Sequence, residues 1–294
     1  MSELERLIKR GEALLERVEA LLPPAPPPVD WRASIAFRWR KTSRRAFIQP
    51  VKNLHRIRLS DLHGIDGQKA LIEQNTLQFV EGRTANNALL TGARGTGKSS
   101  LVKAVLEKFH HRGLRLIEVE KHDLIDLPDI VDQVAERPER FILFCDDLSF
   151  EISEAAGYKA LKAVLDGSIA ATSENLLIYA TSNRRHLMPE YMQENLETRH
   201  LGEEIHPGET VEEKISLSER FGLWVSFYPF DQDAYIEIVG HWLLEMGCRE
   251  AEIPGARQEA LQWALLRGSR SGRVAWQFAR DYAGRNSGDG KAKR

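Results

Sequence analysis

Cysteine is scarce in this chain: its 294 residues include two, Cys145 and Cys248. That excludes a disulfide-stapled scaffold. Cys145 lies in an apolar run that reads as a buried strand, so the pair points to a reducing, cytoplasmic setting. Zinc-ligand spacing of Cys and His is absent as well. No apolar run approaches the ~20 residues that a membrane-spanning helix needs. The opening Met1-Ser2-Glu3-Leu4-Glu5 is acidic and lacks the apolar stretch of a secretory signal. A formal net charge of only -2 excludes a polycation and a generally acidic surface. What remains is an ordinary balance, 42% hydrophobic and 29% charged, with room for one large domain or a medium one with a small satellite.

Acidic residues are missing altogether from residues 31–59, which hold nine Lys/Arg: Arg32, Arg38, Arg40, Lys41, Arg44, Arg45, Lys52, Arg56 and Arg58. The rest of the chain then carries 32 basic against 43 acidic residues. Trp31, Phe37, Trp39 and Phe47 are interleaved with these charges. Basic groups among aromatics suit two roles. They can track a nucleic-acid backbone and stack bases, or form an arm packed on the acidic remainder with its aromatics buried. Before this arm, residues 2–22 read as a helix with Leu4, Leu7, Leu14, Val18 and Leu21 on an a/d pattern broken by Gly11. Such a helix can pack on the main domain or form a coiled-coil contact. Pro23-Pro24-Ala25-Pro26-Pro27-Pro28 ends it and favours an extended linker.

From Asp61 the pattern alternates between strand and helix. Strand-length apolar runs fall at Asn87–Leu90, Leu114–Val119, Phe141–Cys145, Leu176–Ala180 and Leu223–Phe227. Helical segments between them indicate an α/β fold, a five-stranded parallel sheet covered on both faces. After Pro229 the helical stretches Asp231–Met246, Arg257–Arg267 and Ser271–Tyr282 form a small all-helical region. The expected domains are thus a helix (1–22), a Pro-rich linker and basic arm (23–60), an α/β domain (61–230), a helical lid (231–284) and a Gly/Ser/Lys-rich disordered tail (285–294).

Gly92-Ala93-Arg94-Gly95-Thr96-Gly97-Lys98-Ser99 fits G-x-x-x-x-G-K-[ST] at every fixed position. Gly92, Gly95 and Gly97 let the backbone bend so that successive N–H groups, those of Thr96 and Ser100 included, face one concavity. The helix beginning there adds its own free N–H groups and dipole. Lys98 is placed to reach the β- and γ-phosphates, and the Ser99 hydroxyl to ligate Mg²⁺. Apolar Phe141–Cys145 ends in two carboxylates, Asp146 and Asp147. At the carboxyl end of a parallel strand beside the loop, Asp146 can hold Mg²⁺ through water, and Asp147 can orient or deprotonate an attacking water. A third strand exits at Asn183. If it lies beside the loop strand, its amide can position water near the γ-phosphate; otherwise Asn183 is a turn residue. No Asn-Lys-x-Asp guanine motif is present, which favours ATP over GTP.

The loop at Gly92–Ser99, the acidic strand end and Asn183 come in the order and spacing of the AAA+ ATPases, which residues 59–283 resemble. The stretch Phe144-Cys145-Asp146-Asp147-Leu148-Ser149-Phe150-Glu151 looks most like a bacterial branch of unassigned biological role. The resemblance implies that Arg220, in Ser216-Leu217-Ser218-Glu219-Arg220-Phe221-Gly222-Leu223, is an arginine finger acting on a neighbouring subunit. It implies that Arg273, with Arg270 as substitute, is the lid sensor, and that Gly64 and Ile65 contact adenine through their backbones. One departure matters: most of the family has Asp-Glu where this chain has Asp146-Asp147. Aspartate is one methylene shorter, so a catalytic water must sit closer or be bridged, hydrolysis is expected to be slow, and Glu151 is an alternative base. The expected function is a homo-oligomeric ATPase, a hexamer being one candidate assembly, that uses ATP and Mg²⁺ to move an unknown macromolecule, protein rather than nucleic acid. A slow nucleotide-controlled switch and a nucleic-acid remodeller engaged through residues 31–58 are the competing readings. A kinase is disfavoured, because no acceptor-binding motif is visible.

Overall fold

The computed structural model describes residues 4, 8–12, 14, 28–42, 45–54, 56–148, 155–167, 174–183, 217 and 219–286. Two units emerge, Met1–Asp30 and Trp31–Arg294. In the first, residues 4, 8–12 and 14 are helical, within the expected 2–22 helix, and Leu4, Ile8 and Leu14 are exposed. The disordered tail expected from residue 285 needs correction at its start, because Arg285 and Asn286 close the last helix and Arg285 pairs with Glu259 and Asp281; the remainder of that tail and the candidate base Glu151 lie outside the described residues.

The second unit is built on a sheet of seven strands in the order β2-β1-β4-β5-β6-β3-β7. These strands are β1 (Ala36–Thr42), β2 (Arg45–Pro50), β3 (Ala88–Gly92), β4 (Leu114–Glu118), β5 (Arg140–Cys145), β6 (Leu176–Ser182) and β7 (Leu223–Phe227). Five of them, β3 to β7, are the strands expected from the apolar runs, and they are mutually parallel. Helices α1 (Asp66–Val80), α2 (Lys98–Phe109), α3 (Leu127–Val134) and α4 (Ala155–Leu165) lie between the strands in sequence. The all-helical end comprises α5 (Gln232–Glu245), α6 (Ile253–Leu266) and α7 (Gly272–Asn286). Asp231 caps α5, accepting a 2.8 Å bond from the Ala234 N–H, and so marks where sheet gives way to helices.

The five-stranded expectation needs correction, because the basic arm supplies two more strands. β1 and β2 form an antiparallel hairpin, and β1 joins β4 in parallel. The arm folds this way because its aromatics bury while its charges meet acids along the sheet margin. Phe37 and Trp39 are 0% and 2% exposed. The Trp31 ring packs 4.6 Å from Phe37 and 4.8 Å from Phe141. Arg38 pairs with Glu118 at 2.6 Å, Arg40 with Glu120 at 3.6 Å, and Lys41 with Asp126 at 3.0 Å. Arg56 pairs with Glu107, and Arg58 with Asp61 and Glu245. An excess of positive charge that would repel itself in isolation is thereby neutralised inside the fold. Dense Lys/Arg disguised a strand whose apolar residues alone would have been legible.

Strand β6 carries the Tyr179 hydroxyl into the core, where burial pushes its pKa up to about 12. It is satisfied from α1: Asn75 Nδ2 donates to it at 3.0 Å, and Thr76 Oγ1 lies 2.8 Å away. Asn75 also bonds Asn86 at the entry to β3, tying helix, loop strand and β6 together. Because the arm completes the core, replacing Trp39 with alanine is expected to cost ~3–5 kcal/mol. Its indole N–H also donates to Asp126 at 3.0 Å. Urea unfolding of the wild type and Trp39→Ala measures this loss; a change under ~1 kcal/mol would mean that the arm is not part of the core.

Candidate functional site

Strand β3 lies between β6 and β7, so the turn that follows it emerges in the middle of the sheet. Gly92 makes that exit possible: at φ 131°, a Cβ there would sit 1.9 Å from the Phe227 carbonyl oxygen of β7. Gly97, at φ 100°, is the left-handed residue from which α2 starts. Between them the loop folds on itself, the Thr96 hydroxyl donating to Ala93 O at 2.8 Å.

Parallel register then brings the other strand ends to the same level. Cys145 of β5 lies opposite Ala180 of β6, so the next residues, Asp146 and Thr181, meet side by side. One oxygen of Asp146, Oδ1, accepts from both Ser99 Oγ and Thr181 Oγ1 at 2.6 Å. Asp147 stands in a left-handed conformation, φ 55°, the one non-glycine residue so placed among those described. Its N–H donates to Thr181 Oγ1 at 2.9 Å. Its carboxylate accepts from the Asn183 amide. Asn183 Oδ1 in turn receives Lys98 Nζ at 3.1 Å, and the same ammonium donates to Gly92 O at 2.8 Å and Ala93 O at 2.7 Å. Lysine, serine, two carboxylates and an amide, spread between Lys98 and Asn183 in sequence, thus form one continuous network.

This network lines one part of a cleft of about 710 Å³. Of the residues expected from sequence, Ile65, Gly95, Thr96, Gly97, Lys98, Ser99 and Ser100 line it, together with Asp146, Asp147, Asn183 and Arg273. Gly92 lies beneath the loop, and Gly64 packs against the Phe230 ring. Arg270 and Arg220 do not line the cleft. Arg220 is ion-paired with Asp166, just beyond α4. The lid touches the loop directly: Gly272 N donates to Gly95 O at 2.9 Å, and a Cβ on Gly95 would come within 2.8 Å of Ser271 Oγ. The rest of the lining includes Ile57, Leu62, Phe230, Ile238, Trp242 and Trp276, drawn from both the segment before α1 and the lid. Sequence reasoning missed this apolar part, because each residue reads as ordinary core until the lid is docked, and missed Thr181, whose role depends on β5 lying beside β6.

The donors around Ser99 and Asp146 are hard oxygens. They suit Mg²⁺, which takes one or two protein ligands and completes its shell with phosphate and water. Among the described residues no group of three or more His, Cys, Asp or Glu side chains could hold a metal. No helix among them is long and apolar enough to cross a membrane. Burial pushes the Lys98 ammonium down to about 8, against the opposing pull of Asp146 and Asp147, while Arg273 and Arg94 push in the same direction as burial. An anion arriving in this cleft would relieve that penalty.

A family model described as "Protein of unknown function (DUF815)" matches residues 32–286. No curated protein matches the chain. Among solved structures, one point mutant of Thermotoga maritima RuvB aligns with a TM-score of 0.50 at 16% identity, over 77% of this chain and 65% of that one. A second point mutant of the same protein gives 0.49 at 16% identity, over 76% of this chain and 63% of that one. The chain thus spans less than two thirds of the length of these RuvB chains. A structure of the E. coli MS115-1 HORMA:CdnC:Trip13 complex gives 0.47 at 11% identity, covering 76% and 90% of the two chains. The fold is that of the AAA+ ATPases, an α/β P-loop core followed by a helical lid.

The lowered Lys98 pKa has a consequence for stability. Between about 8 and the ordinary 10.5, the folded state binds fewer protons at Lys98 than the unfolded state does. Stability from this residue is therefore reduced below pH 8 and recovers as pH rises through that window. The stability difference between wild type and Lys98→Met should move in favour of wild type by roughly 2 kcal/mol from about pH 7.5 to about pH 10. Urea titrations at several pH values check this; a difference independent of pH would refute it.

Proposed function

As this chain belongs to the DUF815 family, whose description assigns no activity, we propose from its site that it binds ATP with Mg²⁺ and hydrolyses it, as an oligomer, to drive movement between core and lid. One observation carries the reading: Lys98, Ser99, Asp146 and Asp147 converge on the glycine-rich loop in a cleft that the lid also lines. The apolar lining from Ile57, Trp242 and Trp276 suits a flat purine ring, and the loop suits a triphosphate. Ser99 and Asp146 would hold Mg²⁺, which when bound polarises the phosphoryl oxygens.

The chain's own residues then have distinct tasks. Lys98 releases the carbonyls of Gly92 and Ala93 and turns to the β- and γ-phosphates. Ser99, which donates to Asp146, would turn its oxygen to the metal. Asp147 takes the proton of the attacking water, and the Asn183 amide fixes the carboxylate that does so. Arg273, on the first turn of the lid helix that touches Gly95, reports the γ-phosphate to the lid. Gly64 and Ile65 border the base. Arg220 lies outside its own cleft, which supports the reading that it serves a neighbouring copy and exchanges Asp166 for that copy's phosphate. The short carboxylate of Asp147 favours slow turnover, so the protein also suits the role of a nucleotide-timed binding switch. At least five of the nine basic arm residues are already ion-paired within the fold, which supports a protein rather than a nucleic acid as the macromolecule acted on.

Asp147→Asn is expected to retain ATP and lose turnover by ~10²-fold or more, since the amide keeps the size but not the base. Equilibrium binding and steady-state phosphate release separate the two; full turnover in the variant would reject Asp147 as base. A second expectation concerns assembly. Lys98→Ala and Arg220→Ala, each inactive alone, should recover part of the activity when mixed, because some interfaces then join an intact loop to an intact arginine. No recovery in demonstrably mixed oligomers would exclude a finger acting between copies.

A further inference from the structure

Thr181 was not among the residues that the P-loop pattern singles out, yet it touches both acids of the site. Its single hydroxyl donates to Asp146 Oδ1 at 2.6 Å and accepts the Asp147 N–H at 2.9 Å. Its carbonyl accepts the next amide, Leu148 N–H, at 2.7 Å. Three consecutive residues at the end of β5 are thus fastened to one residue of β6. The side chain is the hinge of this arrangement, because a hydroxyl is both donor and acceptor and can serve two partners at once. Thr181 itself is buried, 2% exposed, while both acids that it touches face the cleft.

The fastening matters because the chain turns sharply where it holds. Asp147 adopts φ 55°, a conformation that side chains other than glycine resist. The bond from its N–H to Thr181 is what the fold offers in return. Asp146 presents a related problem. Ser99 and Thr181 share its Oδ1, and once Ser99 turns to a metal, Thr181 is the remaining hydroxyl on that oxygen.

We infer that Thr181 is a positioning residue: its hydroxyl aims the Asp146 carboxylate at the metal and, by holding the Asp147 N–H, fixes the backbone from which Asp147 reaches the attacking water. The inference rests on the ATPase reading above and adds to it a residue outside both the loop and the acidic strand end. Thr181→Val keeps the shape and removes the hydroxyl. Asp147 N–H is then left without an acceptor, and Asp146 is free to turn.

The test compares wild type, Thr181→Val and Thr181→Ser in the full chain, reading turnover, ATP affinity without metal, and the Mg²⁺ dependence of ATP binding. Thr181→Val should lower kcat by ~10–100-fold, the size of effect that a misaimed catalytic group brings. The Mg²⁺ concentration for half-maximal tightening of ATP binding should rise several-fold. Metal-free ATP affinity should stay unchanged, because the loop makes those contacts. Thr181→Ser keeps the hydroxyl and should restore kcat and Mg²⁺ response to within about two-fold of wild type. A general loss of packing would instead lower metal-free affinity too and would not be rescued by serine. Wild-type kcat and Mg²⁺ response in Thr181→Val would overturn the inference. If Thr181→Val does not fold, Thr181→Ser and Thr181→Ala decide it, the former expected near wild type and the latter deficient in Mg²⁺ response. If the wild type binds ATP with Mg²⁺ but does not turn over, the ATPase reading fails, and the Mg²⁺ titration still decides the role of Thr181.

Discussion

The site depends on one constraint: β3 must leave the sheet between two parallel neighbours. With β6 on one side and β7 on the other, no hairpin can follow it, so the chain has to turn out of the sheet plane into a helix. The passage past Phe227 O admits no side chain, which is why Gly92 stands there. The same parallel arrangement ends β5 and β6 beside the loop, and the placement of Asp146 and Asp147 follows from that. Had β6 paired elsewhere, Asn183 would be a loop residue with nothing to hold.

Electrostatics explains how the cleft stands ready for an anion. Lys98 is buried among its own loop carbonyls, with Arg94 and Arg273 nearby and two carboxylates within reach. Burial wins over the carboxylates, so the ammonium is held at a cost that a phosphate would relieve. The lid takes part in this balance through the bond from Gly272 to Gly95, placing the start of α7 against the loop. A change in the loop therefore meets the lid directly, without a long relay.

The basic arm shows how composition can mislead about position. Nine cations without an acid look like a surface for a polyanion. Yet the acids they meet were spread along the chain at Glu107, Glu118, Glu120 and Asp126, where each looks like an ordinary exposed charge. Burial of Trp31, Phe37 and Trp39 needs β4 and β5 as a platform. Pairing of this kind is invisible in a linear pattern, because both halves must be brought together before either is explained.

The amino-acid sequence by itself determined the five parallel strands, the three C-terminal helices, the glycine-rich loop and the acidic strand end. In each, the chemistry is local: glycines and a lysine at fixed spacing, an apolar run closing in carboxylates, apolar residues at helical period. Only the tertiary structure decided that the arm extends the sheet to seven strands and that Arg273 rather than Arg270 lines the cleft. It alone showed that Arg220 lies away from its own cleft and that Thr181 joins the two acids. Those outcomes turn on strand adjacency and lid docking, which are set by contacts between residues far apart in the chain. A threonine hydroxyl acquires its meaning from which strand lies next to it, and nothing in its immediate sequence records that.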